Sequence, residues 1–231
     1  MRPDQRRLIL WMTVFFIAMA FLESAVVVYL RALYYPDGFE LTLVPMDPLL
    51  VRTEVLRELA TMIMLLAPAA LVTRSALERF AWFSFGFGVW DIFYYVWLKV
   101  LLDWPASLAT PDLLFLIPVP WVGPVWAPCL ISIGLIVLAI LLLRRSALGS
   151  PSTLGGLTWL ALVGGAGLMI LSFLIVPLSG SVDLGDMVHA NGVGSDAGPL
   201  STDYPWPWFA VGLLASSYGL WRIWRPMART E

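Results

Sequence analysis

An all-α, polytopic membrane bundle of about six transmembrane helices is the fold this sequence predicts, and three observations predict it. The 231 residues are 60% hydrophobic and only 13% charged, about half the charge a soluble domain carries. The apolar residues gather into runs close to the about 20 residues that cross a bilayer. Arginines recur at alternate boundaries of these runs, as the positive-inside rule requires of a multi-span chain. We read residues 1–231 as a single transmembrane domain.

The first run, residues 8–30, follows Arg2, Arg6 and Arg7. Ala18-Met19-Ala20 inside it has the small-residue pattern of a signal-peptide cleavage site. The apolar run continues past it through Val26 to Leu30, which favours a retained anchor; cleavage would leave five spans in the same orientation. The second run, 51–72, is the least apolar, because Arg52, Glu54, Arg57 and Glu58 fall in its first turns. Its start is well marked, with Asp47 as N-cap and Pro48 at the first helical position. The third run is 80–102, the fourth 125–143, the fifth 154–176 and the sixth 208–224. Gly164, Gly165 and Gly167 in the fifth suit close helix packing.

Between the third and fourth runs, residues 112–124 read DLLFLIPVPWVGP. Pro118, Pro120 and Pro124 forbid a continuous helix. The segment is too short to cross and too apolar for an aqueous loop, so a re-entrant or interfacial element is expected. Such backbone is tolerated at depth only where it is buried in protein or lines a cavity.

Orientation follows from Arg2, Arg6, Arg7, Arg74, Arg79, Arg144, Arg145, Arg222, Arg225 and Arg229, which fall on one side of a six-span chain. That side is expected to be cytoplasmic, with both termini on it. Residues 177–207 form the opposite, periplasmic loop, with Asp183, Asp186, Asp196 and Asp203 and no Lys or Arg. Tyr34, Tyr35, Tyr204, Trp206 and Trp208 suit the outer interface, and Trp221 and Trp224 the inner one.

Asp91 is the residue that most demands an explanation. It lies roughly 16 Å from either end of its run at helical rise, near the membrane midplane. A carboxylate at the centre of a span costs roughly 2.5–3.5 kcal/mol on insertion scales, so an acid there is a candidate functional residue. Glu23 and Glu58 are two more, at matching depth on the first two spans. Helical spacing puts Ser84, Gly88, Asp91 and Tyr95 on one face, with Lys99 at its edge, and Glu54, Glu58 and Thr61 on another, with Arg57 beside it. The candidate ligand- or proton-binding set is therefore Glu23, Arg57, Glu58, Asp91, Tyr95 and Lys99, on spans one to three, with spans four to six as scaffold. Tyr95 or Ser84 is the expected hydrogen-bond partner of Asp91. Trp90, Tyr94, Tyr95 and Trp97 are candidate pocket walls. A competing reading is structural: Glu23, Glu58 and Asp91 equal Arg31, Arg57 and Lys99 in number, so a neutral ion network would fix helix register. Arg31 also suits snorkelling to the outer head groups.

Several function classes are disfavoured. One cysteine, Cys129, excludes an intrachain disulfide and a cysteine metal cluster, and one histidine, His189, excludes a haem held between two histidines of the chain. Asp186-x-x-His189 is a weak metal-ligand spacing, so no metal site is expected. No second membrane aspartate faces Asp91 for aspartyl proteolysis. No phosphate-binding glycine loop and no basic stripe for nucleic acid occur. No cofactor is implied. No inverted repeat relates the halves, which counts against the common transporter architectures.

What remains is a binding protein, with an outward-facing pocket for a small polar ligand, a proton, or a lipid or quinone head group. Two alternatives stay open: a non-catalytic subunit of a larger membrane complex, and a membrane-embedded enzyme using carboxylates. Enzymatic activity is the less favoured. The expected partners are the bilayer and either another membrane protein or further copies of the chain.

The strings ESAVVVYLR (23–31), WDIFYYVWLK (90–99) and IPVPWVGP (117–124) resemble uncharacterised bacterial multi-pass membrane proteins over about the first 130 residues. The resemblance implies a bacterial inner-membrane setting and no particular activity.

Overall fold

The computed structural model describes residues 3–35, 47–117, 119–149, 153–178 and 204–227. Arg2, Pro118, Arg229 and the loop residues Asp183, Asp186, His189, Asp196 and Asp203 lie outside the described residues. The chain order is α1 (Pro3–Tyr34), α2 (Pro48–Val72), α3 (Ala76–Leu102), β1 (Pro111–Phe115), β2 (Trp121–Pro124), α4 (Trp126–Ala147), α5 (Gly156–Val176) and α6 (Trp206–Met227).

Local signals set the helix ends. Asp47 accepts the Leu49 amide at 2.7 Å and Pro48 opens α2, the start that the sequence predicts. Ser75 caps α3 by accepting the Glu78 amide at 3.5 Å. Asp103, at φ 51°, ends α3 in the left-handed region and donates its amide to the Lys99 carbonyl at 3.1 Å.

Five helices, α1 to α5, are long and apolar enough to cross a membrane. The sixth expected span forms helix α6 but is not among them. Ser216, Ser217, Arg222 and Arg225 dilute its apolar run, and α6 packs along α5, a partner it can accompany across the bilayer. The outer surface is apolar all round: Leu22 is 65% exposed on α1, Leu71 86% on α2, Leu160 68% on α5 and Leu214 70% on α6. A soluble bundle would place charge there; lipid removes that need.

Helix α3 is the hub, packing on α1, α2 and α4. Two glycines make this possible. A Cβ on Gly86 would meet the Phe16 ring of α1, with Cε2 at 2.6 Å. A Cβ on Gly88 would meet the Ser132 carbonyl of α4 at 2.6 Å. Two hydrogen bonds pin α1 to α3: Ser24 Oγ donates to the Tyr94 carbonyl at 3.0 Å, and the Trp97 indole donates to the Ile17 carbonyl at 3.1 Å. At the other end of α3, Glu78 accepts from Thr73 at 2.7 Å and from Ser146 at the end of α4.

Of the three clustered glycines in α5, only Gly165 marks a close approach. Its added Cβ would lie 2.6 Å from the Gly212 carbonyl of α6, whereas Gly164 and Gly167 have open space around them.

The proline-rich segment is a β-hairpin. Strands β1 and β2 pair antiparallel, Asp112 opposite Gly123 and Leu113 opposite Val122, with a register irregularity between Leu113 and Phe115. Alternating Leu, Phe, Trp and Val suit a strand once the prolines have excluded a helix. Gly123 brings the hairpin against α5, because its missing Cβ leaves room for the Phe173 ring at 2.7 Å.

Candidate functional site

The hairpin, α1, α2, α3, α4 and α5 enclose a cavity of about 630 Å³. Its size falls within the range of small-molecule sites, about 300–1,000 Å³. Most of its wall is apolar, but Glu23, Arg31, Glu54, Arg57, Glu58, Asp91 and Asp112 also line it.

Each charged group has a definite setting. Arg57 pairs with Glu23 of α1, and on its own helix with Glu54, to which its Nε donates at 3.0 Å. Thr61, one turn further along α2, donates to the second oxygen of Glu23 at 3.0 Å. The Arg57–Glu23 pair is therefore a polar strut between α1 and α2. Glu58 points the other way: the Leu116 amide donates to its two oxygens at 3.0 and 3.1 Å, which latches the hairpin to α2. Asp91 is buried and accepts from Ser132 Oγ of α4 at 2.7 Å. Tyr95, one turn beyond Asp91, donates to Asp112 of β1 at 3.0 Å. The Arg31 guanidinium lies 4.2 Å from the Trp104 ring centroid. Asp112 sits on the hairpin, outside the spans. Burial raises its pKa from the ordinary 3.8 to about 6, while the Tyr95 hydroxyl and Arg31 act to lower it.

Five of the six residues singled out from sequence, Glu23, Arg57, Glu58, Asp91 and Tyr95, line this one cavity. Lys99 does not. It pairs with Asp103 at 2.7 Å and donates to the carbonyls of Asp103 and Pro105, so it closes the end of α3. The partner of Asp91 is Ser132 rather than Tyr95 or Ser84, because Gly88 lets α4 approach one turn below Asp91. Trp97 is spent on the α1 clasp, while Trp90, Tyr94 and Tyr95 do line the cavity. Around the cavity itself the acids outnumber the bases: five carboxyls line it against the guanidiniums of Arg31 and Arg57. Spans four and five are not mere scaffold, since α4 and α5 supply lining residues and Ser132.

Asp112, Ser132 and the Leu116 amide were not anticipated. Asp112 carried a readable signal, an acid at the head of a segment too apolar for a solvated loop. Ser132 and a backbone amide carried none. Among the described residues no three acids, histidines or cysteines are grouped so as to hold a metal ion. The indole nitrogens of Trp90 and Trp121, both lining residues, are buried and have no hydrogen-bond partner among the described residues.

The Asp91–Ser132 bond makes a direct prediction. Asp91→Asn retains an oxygen for the Ser132 hydroxyl and carries no charge, so it is expected to melt at or above the wild-type temperature in detergent. Asp91→Ala strands that buried hydroxyl and should lose about 1–3 kcal/mol. Equal losses from the two variants would mean that the negative charge itself is structural.

Fold and site together define a helical bundle of membrane-protein composition that encloses a charged cavity. No protein-family model matches the chain, and neither a curated protein nor a solved structure matches it significantly.

Proposed function

We propose that this is a multi-span protein of the bacterial inner membrane, with both termini cytoplasmic, whose cavity opens toward the periplasm and binds a ligand. The observation that carries this reading is the cavity itself: about 630 Å³ inside the bundle, apolar over most of its wall, with five carboxyls and two guanidiniums converging on it. A network serving only stability gains nothing from surrounding such a volume, since an unfilled cavity forfeits packing. The unpartnered indole donors support the same reading, because an unmet buried donor costs about 1–3 kcal/mol that a ligand acceptor would recover. Binding is favoured over catalysis because the acids are committed to positioning contacts with Arg57, Leu116, Ser132 and Tyr95. The arginine asymmetry supports the orientation.

Native mass spectrometry of the protein purified in a mild detergent tests the binding reading. A bound small molecule is expected on the wild type and absent from Leu135→Trp or Ala166→Phe, which fill the cavity from its α4 and α5 walls. The reading fails if the wild type is empty and no added small molecule raises its melting temperature. A reporter fused after Glu231 that is active only in the periplasm would overturn the orientation.

A further inference from the structure

Polarity inside the cavity is graded along the bundle axis. On α2 the lining passes from Glu54, Arg57 and Glu58 to Leu59 and Met62 within about two turns. On α3, which runs the other way, it passes from Tyr95 and Asp91 back to Phe87 and Phe83. Charge thus collects at one end of the cavity and apolar surface at the other.

The apolar end continues outward. A second hollow of about 270 Å³ lies between α2 and α3, lined by Met62, Ile63, Leu66 and Phe83. Met62 and Phe83 line both spaces, so the two adjoin. Ile63 and Leu66 are 59% and 53% exposed on the apolar exterior. A charged compartment leading into an apolar groove that reaches the lipid-facing surface is the negative image of an amphiphile.

The charged compartment also has a sign. Five carboxyls line it against two guanidiniums, an excess of three acids. Arg57 is already shared between Glu23 and Glu54, and neither Glu58 nor Asp91 has a basic ion-pair partner among the described residues. An uncompensated carboxylate out of water costs several kcal/mol, which a retained proton or a ligand cation offsets. A primary ammonium suits the site, being a compact charge with three donors for surrounding acceptor oxygens.

We propose that the cavity holds a membrane lipid whose head group carries a protonated primary amine, its apolar chain leaving between α2 and α3 past Met62, Ile63 and Leu66. This deepens the ligand-site reading and rests on it.

The test titrates the purified protein in mild detergent with three probes: lysophosphatidylethanolamine, lysophosphatidylglycerol of the same acyl chain, and water-soluble phosphoethanolamine. Binding is read by native mass spectrometry. The amine lipid should bind at least ten-fold more tightly than either other probe. Leu66→Trp or Ile63→Trp, filling the groove, should weaken the amine lipid several-fold and leave phosphoethanolamine unchanged. Glu58→Gln or Asp91→Asn should narrow the preference for the amine lipid over the glycerol lipid; variants are compared only where their melting temperature matches the wild type. Equal or tighter binding of the glycerol lipid overturns the amine assignment and leaves the ligand site standing. Equal affinity for the lipid and phosphoethanolamine overturns the groove as a chain path. Absence of binding by all three probes, with a different molecule found on the purified wild type, overturns the lipid proposal alone. Absence of any ligand in every measurement overturns both readings.

Discussion

Arg57→Ala is expected to lower stability by about 3–5 kcal/mol, the usual cost of removing one partner from a buried ion pair. Arg57 is the shared cation of two carboxylates, Glu23 on α1 and Glu54 on α2. Alanine leaves both without a cationic partner in a setting where their side chains are only 11% and 15% exposed. Arg57 itself is 22% exposed, so some water reaches the site and the loss belongs in the lower half of that range. The damage should be local to the α1–α2 strut, because Thr61 alone would then tie Glu23 to α2. Arg57→Lys keeps the charge but loses the planar fork that reaches two acids at once, so an intermediate loss is expected. Adding Glu23→Gln and Glu54→Gln to Arg57→Ala removes the stranded charges and should recover much of the stability. Unfolding in detergent followed by far-ultraviolet circular dichroism measures all of these. A loss below about 1 kcal/mol, the ordinary worth of an exposed pair, would show the strut to be solvated.

This strut was legible in the sequence because charge inside an apolar run is costly enough to require a partner. Glu23, Arg57, Glu58 and Asp91 all announce themselves in that way, and helical rise alone matches the depths of Glu23 and Glu58. The same logic misled at Lys99. A lysine at a helix end has a cheaper outlet, and the left-handed turn at Asp103 offers it a carboxylate and two carbonyls. Residues that act without charge left no trace. Ser132 is one hydroxyl in an apolar helix, and its contact with Asp91 depends on how closely α4 approaches α3. The prolines of residues 112–124 reveal what the segment cannot form but not what it pairs with. Its course over the cavity is set by tertiary contacts, the Leu116 amide on Glu58 and the Phe173 ring over Gly123. Asp112 reaches the site only because of that course. The sixth span shows a limit of a different kind. Ser216, Ser217, Arg222 and Arg225 interrupt the apolar run of α6, and sequence alone does not say whether lipid or α5 receives its apolar face.

Gly88→Val is expected to be the most damaging single change in the α3–α4 interface. A Cβ at this position would lie 2.6 Å from the Ser132 carbonyl and 2.8 Å from Cγ1 of Ile136. The Ile136 side chain can turn aside, but a carbonyl in the middle of α4 cannot move without its helix. Forcing α4 outward strains a packed core by about 1–3 kcal/mol. It also pulls Ser132 from Asp91, leaving a buried acceptor unmet at a further cost of about 1–3 kcal/mol. Because those two terms share one displacement, Gly88→Val should lose more stability than Ser132→Ala, which removes the hydrogen bond and leaves the helices in place. Gly164→Ala is the control, since no neighbouring atom lies within 4 Å of its added Cβ. There the substitution should be neutral or gain up to about 1 kcal/mol from helix propensity. Melting temperatures of the three variants in one detergent decide the matter. If Gly88→Val and Gly164→Ala shift it alike, α4 does not depend on Gly88 for its approach, and the positioning of Ser132 against Asp91 must come from elsewhere in the bundle.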